Sequence, residues 1–254
     1  MRAFTIEPPE PPRHEFVLEP SIEATARSRS GPGDELPAEA MHKLPKRLST
    51  GEPVFRRIGE ESADDIELHR FLEAAPDFEF YLGRLTCTLR QDDDNPFASA
   101  VIEVTLSTVE QDHPDPIAWS MDPLRLFDSV PGSRKISVSP SLTILGVGLQ
   151  GAAEAGSQRE RKETVLEALY ERESTPTWAL YRTGSTPLRG GYRFDLVIRV
   201  PRNCTGLGRI AASATVQRKR FGLITYRAML PGKPALSFRL SPLSVETADL
   251  IASA

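Results

Sequence analysis

The alternation of apolar and polar positions is cleanest between Trp178 and Pro201. From Tyr192 every second residue is apolar (Tyr192, Phe194, Leu196, Ile198, Val200), while Arg193, Asp195 and Arg199 take the other parity. A period of two predicts a β-strand with one face on a core and one face in water. Trp178–Tyr181 precedes it across a Gly/Ser/Pro-rich segment, and the two read as strands joined by a turn.

The same pattern recurs along the chain. Phe78, Phe80 and Leu82 share one parity and Leu85, Cys87 and Leu89 the other; one extra residue at Gly83-Arg84, a β-bulge, would bring all six to a single face. After the acidic turn QDDDNP, Ala98–Val109 alternates again, which predicts an antiparallel hairpin with 78–90. A short strand is expected at Ile117, Trp119 and Met121, and extended chain from Lys135 to Gln150, where Pro140 demotes part to an edge. Further strands are expected at Ile210–Val216, with Ile210, Ala212, Ala214 and Val216 inward, at Leu223–Leu230, and at Leu236, Phe238 and Leu240.

Helical spacing is rarer. Ser62 can cap a helix over Ala63–Ala75, with Asp64 and Asp65 in the first turn, Leu68, Phe71, Leu72 and Ala75 on one stripe, and Pro76 as the stop. In QRERKETVLEALYERES, Val165, Leu166, Leu169 and Tyr170 share a helical face. Leu166, Ala168 and Tyr170 also alternate, so 159–173 reads as an amphipathic helix with a strand as the alternative. About nine strands with one or two helices predict a mainly β fold, an antiparallel β-sandwich immunoglobulin-like in style.

Composition divides the chain. Residues 1–59 are rich in proline and charge and are expected to form a largely disordered or wrapping arm, with Phe16-Val17-Leu18 and Val54-Phe55 as docking segments. Residues 60–254 are expected to form a single β-sandwich domain. No apolar run approaches the ~18 residues of a spanning helix, and MRAFTIEPPEPPRHEF lacks the apolar stretch of a secretory signal, so a cytoplasmic protein is expected. Cys87 and Cys204 are then expected as reduced thiols, and neither has zinc-ligand spacing.

Charge changes the picture most. The formal net charge is −4, yet Pro176–Leu240 holds twelve basic residues and one acid, Asp195. The rest of the chain carries nineteen basic and thirty-four acidic residues. Arg193 and Arg199 lie on the polar face of one strand, with Arg227 nearby. Arg182 and Arg189 flank the preceding turn, and Arg218, Lys219 and Arg220 sit at a strand end. Together these are the candidate anion- or partner-binding residues, since clustered guanidiniums hold oxyanions by charge-assisted hydrogen bonds. The competing reading is internal: the acidic remainder, the arm included, covers the basic region.

Other motifs carry less. Gly146-Val147-Gly148-Leu149-Gln150-Gly151 matches GxGxxG, but no second βα unit follows it. Asp92-Asp93-Asp94-Asn95 offers oxygen ligands without the spacing of a calcium loop. His113 stands beside Asp112 and Asp115, with no nucleophile in a recognisable elbow. Neither cofactor nor metal is expected. The sequence points to a non-enzymatic binding or assembly module whose basic C-terminal half engages an anionic partner. That partner is an acidic protein surface or the chain's own arm first, and nucleic acid next. The alternatives are a nucleotide-binding enzyme using 146–151 and a structural subunit of a larger complex.

Overall fold

The computed structural model describes residues 15–17, 47–59, 66–90, 96–110, 112–128, 163–220, 223–230, 234–241 and 245–248. The strands are β1 (Glu15–Val17), β2 (Leu48–Gly51), β3 (Val54–Ile58), β4 (Phe78–Leu89), β5 (Phe97–Thr108), β6 (Ile117–Asp122) and β7 (Arg125–Asp128). They continue with β8 (Glu163–Leu169), β9 (Thr177–Tyr181), β10 (Gly190–Pro201), β11 (Gly206–Arg220), β12 (Leu223–Leu230), β13 (Pro234–Leu240) and β14 (Val245–Ala248). One helix, α1 (Ile66–Glu73), lies between β3 and β4. Six strands form a front sheet in the order β1-β2-β4-β10-β6, with β3 also on β4. Eight form a back sheet in the order β14-β13-β11-β5-β9-β8-β7, with β12 also on β11. The protein is therefore an antiparallel β-sandwich, as the alternation predicts.

The core lies between the sheets. Tyr192, Phe194, Leu196, Ile198 and Val200 of β10 face it, as do Ile210, Ala212, Ala214 and Val216 of β11 and Leu236, Phe238 and Leu240 of β13. Each large side chain so removed from water contributes roughly 1.5–3 kcal/mol. Phe55 and Phe238 meet across the gap with centroids 4.2 Å apart. Each ring folds over a glycine directly opposite it in its own sheet, Phe55 over Gly83 and Phe238 over Gly208. A Cβ on either glycine would overlap the ring.

That pair corrects the expected bulge at Gly83-Arg84. The β4–β10 ladder runs unbroken from Leu89↔Gly190 to Phe78↔Pro201. Gly83 makes room for a ring; it does not shift parity. Both parities of β4 are apolar because both faces are covered: Tyr81, Leu85, Cys87 and Leu89 face the central core. Phe80 and Leu82 instead join Ile58, Val197 and Leu68 of α1 in a second core on the outer side of the front sheet. The helix is as expected over 66–73, and its first predicted turn, 63–65, lies outside the described residues.

Two expected hairpins do not form. β4 and β5 belong to different sheets, and so do β9 and β10. Residues 182–189 are an arch carrying the chain from the back sheet to the front. β10 already has β4 on one edge and β6 on the other, so β9 finds its partners in β5 and β8. Trp178 and Phe194 then meet across the core with their rings tilted by 38° and centroids 4.9 Å apart.

The helical reading of 159–173 also fails: Glu163–Leu169 is strand β8, pairing with β7 and β9. The apolar alternation decides it, since Leu166 is buried in the core and Ala168 packs against it. Of the stretch 1–59, Leu48–Gly51 and Val54–Ile58 are front-sheet strands with Leu48, Phe55 and Ile58 buried, so the folded domain begins before residue 60. The backbone of Glu15–Val17 pairs with β2. Cys87 and Cys204 are not joined by a disulfide, and both are buried. The extended segment expected over Lys135–Gln150 lies outside the described residues.

Candidate functional site

The basic residues singled out by the sequence divide between the sheets. Arg193 and Arg199 project from β10 on the outer face of the front sheet. Arg182 and Arg189 are exposed on the arch. Arg218, Lys219 and Arg220 end β11 and Arg227 lies in β12, all in the back sheet. The side chains of these last four lie outside the description. Six residues of strand place Arg193 and Arg199 about 20 Å apart, so no single anionic group reaches both.

The face that carries them is not the wet one that alternation implies. Val197 is fully buried under α1 and Asp195 is 8 % exposed. Asp195, the one acid of the basic segment, is held by Arg84 from the adjacent strand, with Nε–Oδ1 2.8 Å and Nη2–Oδ2 3.3 Å. Arg193 approaches the same carboxylate at 3.7 Å. On the other side Asp195 stands directly opposite Asp122 of β6. Burial, and then the charge of Asp195, push the Asp122 carboxyl up to about 6, against an opposing pull from Arg193. Arg193 therefore belongs to an internal acid–base row.

Arg199 does not. Its guanidinium lies 4.3 Å from the Phe78 ring centroid and 4.9 Å from that of Trp119. A second guanidinium, of Arg172, sits 3.6 Å over Trp119. Phe71 and Phe80 back the indole at 6.1 and 5.9 Å. Each such cation–π contact contributes ~0.5–2 kcal/mol, which keeps both cations against the rings. Neither arginine has an ion pair or a side-chain hydrogen bond among the described residues. Arg172 is exposed and Arg199 partly so. Burial lowers the affinity of both guanidiniums for their protons; the charge of Arg172 adds to this at Arg199, and Glu171 opposes it at Arg172.

Two irregularities assemble this corner. Opposite β10, Ser120 pairs with Val197 and Ala118 with Ile198, so Trp119 is the extra residue of a bulge. Bulges re-aim side chains, and here the indole turns outward while Ala118 and Met121 stay in the central core. On the other side, the turn after β8 crosses the sheet edge: Arg172 N–H donates to Ala118 O (2.8 Å) and Ala118 N–H to Glu173 O (3.0 Å). Tyr170 and Arg172 have φ of 62° and 72°, a left-handed conformation disfavoured for bulky side chains. Sequence reading missed both Trp119 and Arg172. Ile117, Trp119 and Met121 look like one regular face, and Arg172 lies among acids outside the basic segment.

The remaining candidates give no site. His113, Asp112 and Asp115 are exposed, and Asp115 accepts the Thr108 amide at 3.1 Å. The glycine motif 146–151 and Asp92–Asn95 lie outside the described residues. Among the described residues no three His, Cys, Asp or Glu side chains gather as metal ligands, and no helix is long and apolar enough to cross a membrane, which says nothing of β-barrels.

No family model and no curated protein sequence matches the chain. Among solved structures it is similar to a chain titled "Pore forming protein", at 6% identity and a TM-score of 0.32, covering 81% of this chain and 97% of that one. A similarity of that size carries no functional argument.

Proposed function

We propose that the protein is a non-enzymatic binding or assembly module that engages an anionic partner, an acidic protein surface first, at the corner formed by Arg172, Trp119 and Arg199. The observation that supports this reading is the pair of guanidiniums on one indole, neither of which forms an ion pair among the described residues. Asp195, the only acid between Pro176 and Leu240, is taken by Arg84, which lies outside that segment. Two like charges share Trp119 with no carboxylate between them among the described residues. An acid supplied from outside relieves that repulsion and forms charge-assisted hydrogen bonds. The cytoplasm suits the reading, because the two buried cysteines are not joined by a disulfide and thiols persist where the medium is reducing.

The test is a titration of the full chain with a poly-glutamate peptide, read by tryptophan fluorescence. Trp178 is fully buried, so Trp119 is the residue positioned to report. Binding is expected to weaken as salt rises and to fall more than tenfold in Arg199→Gln. Salt-insensitive binding, or equal affinity in that variant, would overturn the proposal. Deleting residues 1–59 is unsuitable for exposing the basic surface, because that cut removes β2 and β3.

A further inference from the structure

We infer that the ligand group taken by Arg172 and Arg199 is a phosphate monoester, a dianion, so that a phosphorylated partner is preferred over a merely acidic one. The inference rests on the reading that this corner binds an anion, and it adds the chemistry of the group bound.

Three observations carry it. First, a cation–π contact uses a guanidinium's charge and none of its N–H donors, which stay available to other acceptors. Arg172 lies 3.6 Å over Trp119 and Arg199 4.3 Å over Phe78, and none of their five donors apiece is given to a protein acceptor among the described residues. Planar forks with unused edges match an oxyanion that presents several oxygens. Second, the charges match: two cations are balanced by the two negative charges of a phosphate monoester, whereas one carboxylate leaves one cation over. Glu171, beside Arg172, is exposed and acts on it only through its charge; among the described residues it forms no ion pair and leaves the N–H donors of both guanidiniums open. Third, the site is built at a conformational cost. Left-handed backbone at Tyr170 and Arg172 is held by the two hydrogen bonds to Ala118. Those bonds fix where the Arg172 backbone leaves the sheet edge, beside the bulged Trp119.

The phosphate could belong to a phosphorylated side chain or to a small phosphorylated metabolite; the chemistry is shared, and the assay separates the sources. Full-length protein is titrated with an acidic peptide carrying one phosphoserine, with the same peptide carrying glutamate there, and with free O-phosphoserine as competitor. The phosphopeptide is expected to bind at least tenfold more tightly than the glutamate peptide. That advantage should vanish in Arg172→Gln, and also in Arg199→Lys, which keeps the charge but loses the fork. Competition by O-phosphoserine at the peptide's own affinity would assign a small-molecule source; much weaker competition would assign a phosphoprotein. Equal binding of both peptides by the wild-type protein sinks the phosphate inference and leaves the anion-binding reading standing. Failure of both peptides to bind removes the two together.

Discussion

Replacing Asp122 by asparagine should make the protein more stable at neutral pH. Asp122 stands opposite Asp195 across the β6–β10 ladder, and Arg84 has already claimed the Asp195 carboxylate. The Asp122 carboxylate accepts no hydrogen bond from the described residues. Its carboxyl is raised from 3.8 to about 6, by burial first and by the Asp195 charge second. Each pKa unit corresponds to ~1.4 kcal/mol, so the shift sets a ceiling of roughly 3 kcal/mol. Asp122 is only partly buried, and solvent screening reduces that to about 1–1.5 kcal/mol. The sign follows from proton linkage. Between pH 3.8 and about 6 the folded protein binds the Asp122 proton and the unfolded chain does not, so stability falls as pH rises through that window. Above it the penalty of a charged Asp122 is fully present. The asparagine variant carries no such penalty, so its advantage should be full at pH 7.5 and should close toward pH 4. Urea denaturation of both proteins at the two pH values measures it, and other titrating groups cancel in the difference. An asparagine variant no more stable at pH 7.5, or one whose advantage is the same at both pH values, would refute the reasoning.

Other perturbations test the packing and the site's construction. Gly208→Ala places a methyl in the ring of Phe238 and should cost about 1–3 kcal/mol by overpacking; Gly191→Ala, which meets nothing within 4 Å, should leave the melting curve nearly unmoved. Arg84→Ala strips the buried Asp195 of its two-pronged partner and should cost about 3–5 kcal/mol in urea denaturation. Arg57→Ala should cost far less, because the Arg57 side chain is 47% exposed where it meets Glu79. Tyr170→Gly removes a bulky residue from left-handed backbone and should raise stability by about 1 kcal/mol; a lowered melting point would mean that the Tyr170 side chain stabilises the fold more than its conformation strains it.

How much of this was legible in the chain depends on the range of the interaction involved. The inward residues of β10, β11 and β13 could be read from alternation alone, because the side-chain period of a strand is local and one parity of each had to meet a core. The apolar stripe of α1 was legible for the same reason. Pairing was not. Alternation says that a strand has a buried face without saying in which sheet, so β9 and β10 looked like a hairpin and are instead opposite walls joined by an arch. The double parity of β4 looked like a bulge because nothing local announces that α1 covers the second face. Gly83 gives no sign that Phe55, from another strand, lies on it.

For the site, the sequence by itself determined a basic segment with a single acid and placed Arg199 on the outward parity of its strand. The tertiary structure decided which charges count. It drew Arg84 from β4 to take up Asp195 and brought Arg193 near that carboxylate. It also turned Trp119 outward at a bulge and carried Arg172 from the other sheet across the edge to the same indole. Charge composition is a sum over residues and can be read along a chain. Charge compensation depends on which side chains lie within a few ångströms of one another, and only the packed sandwich sets that.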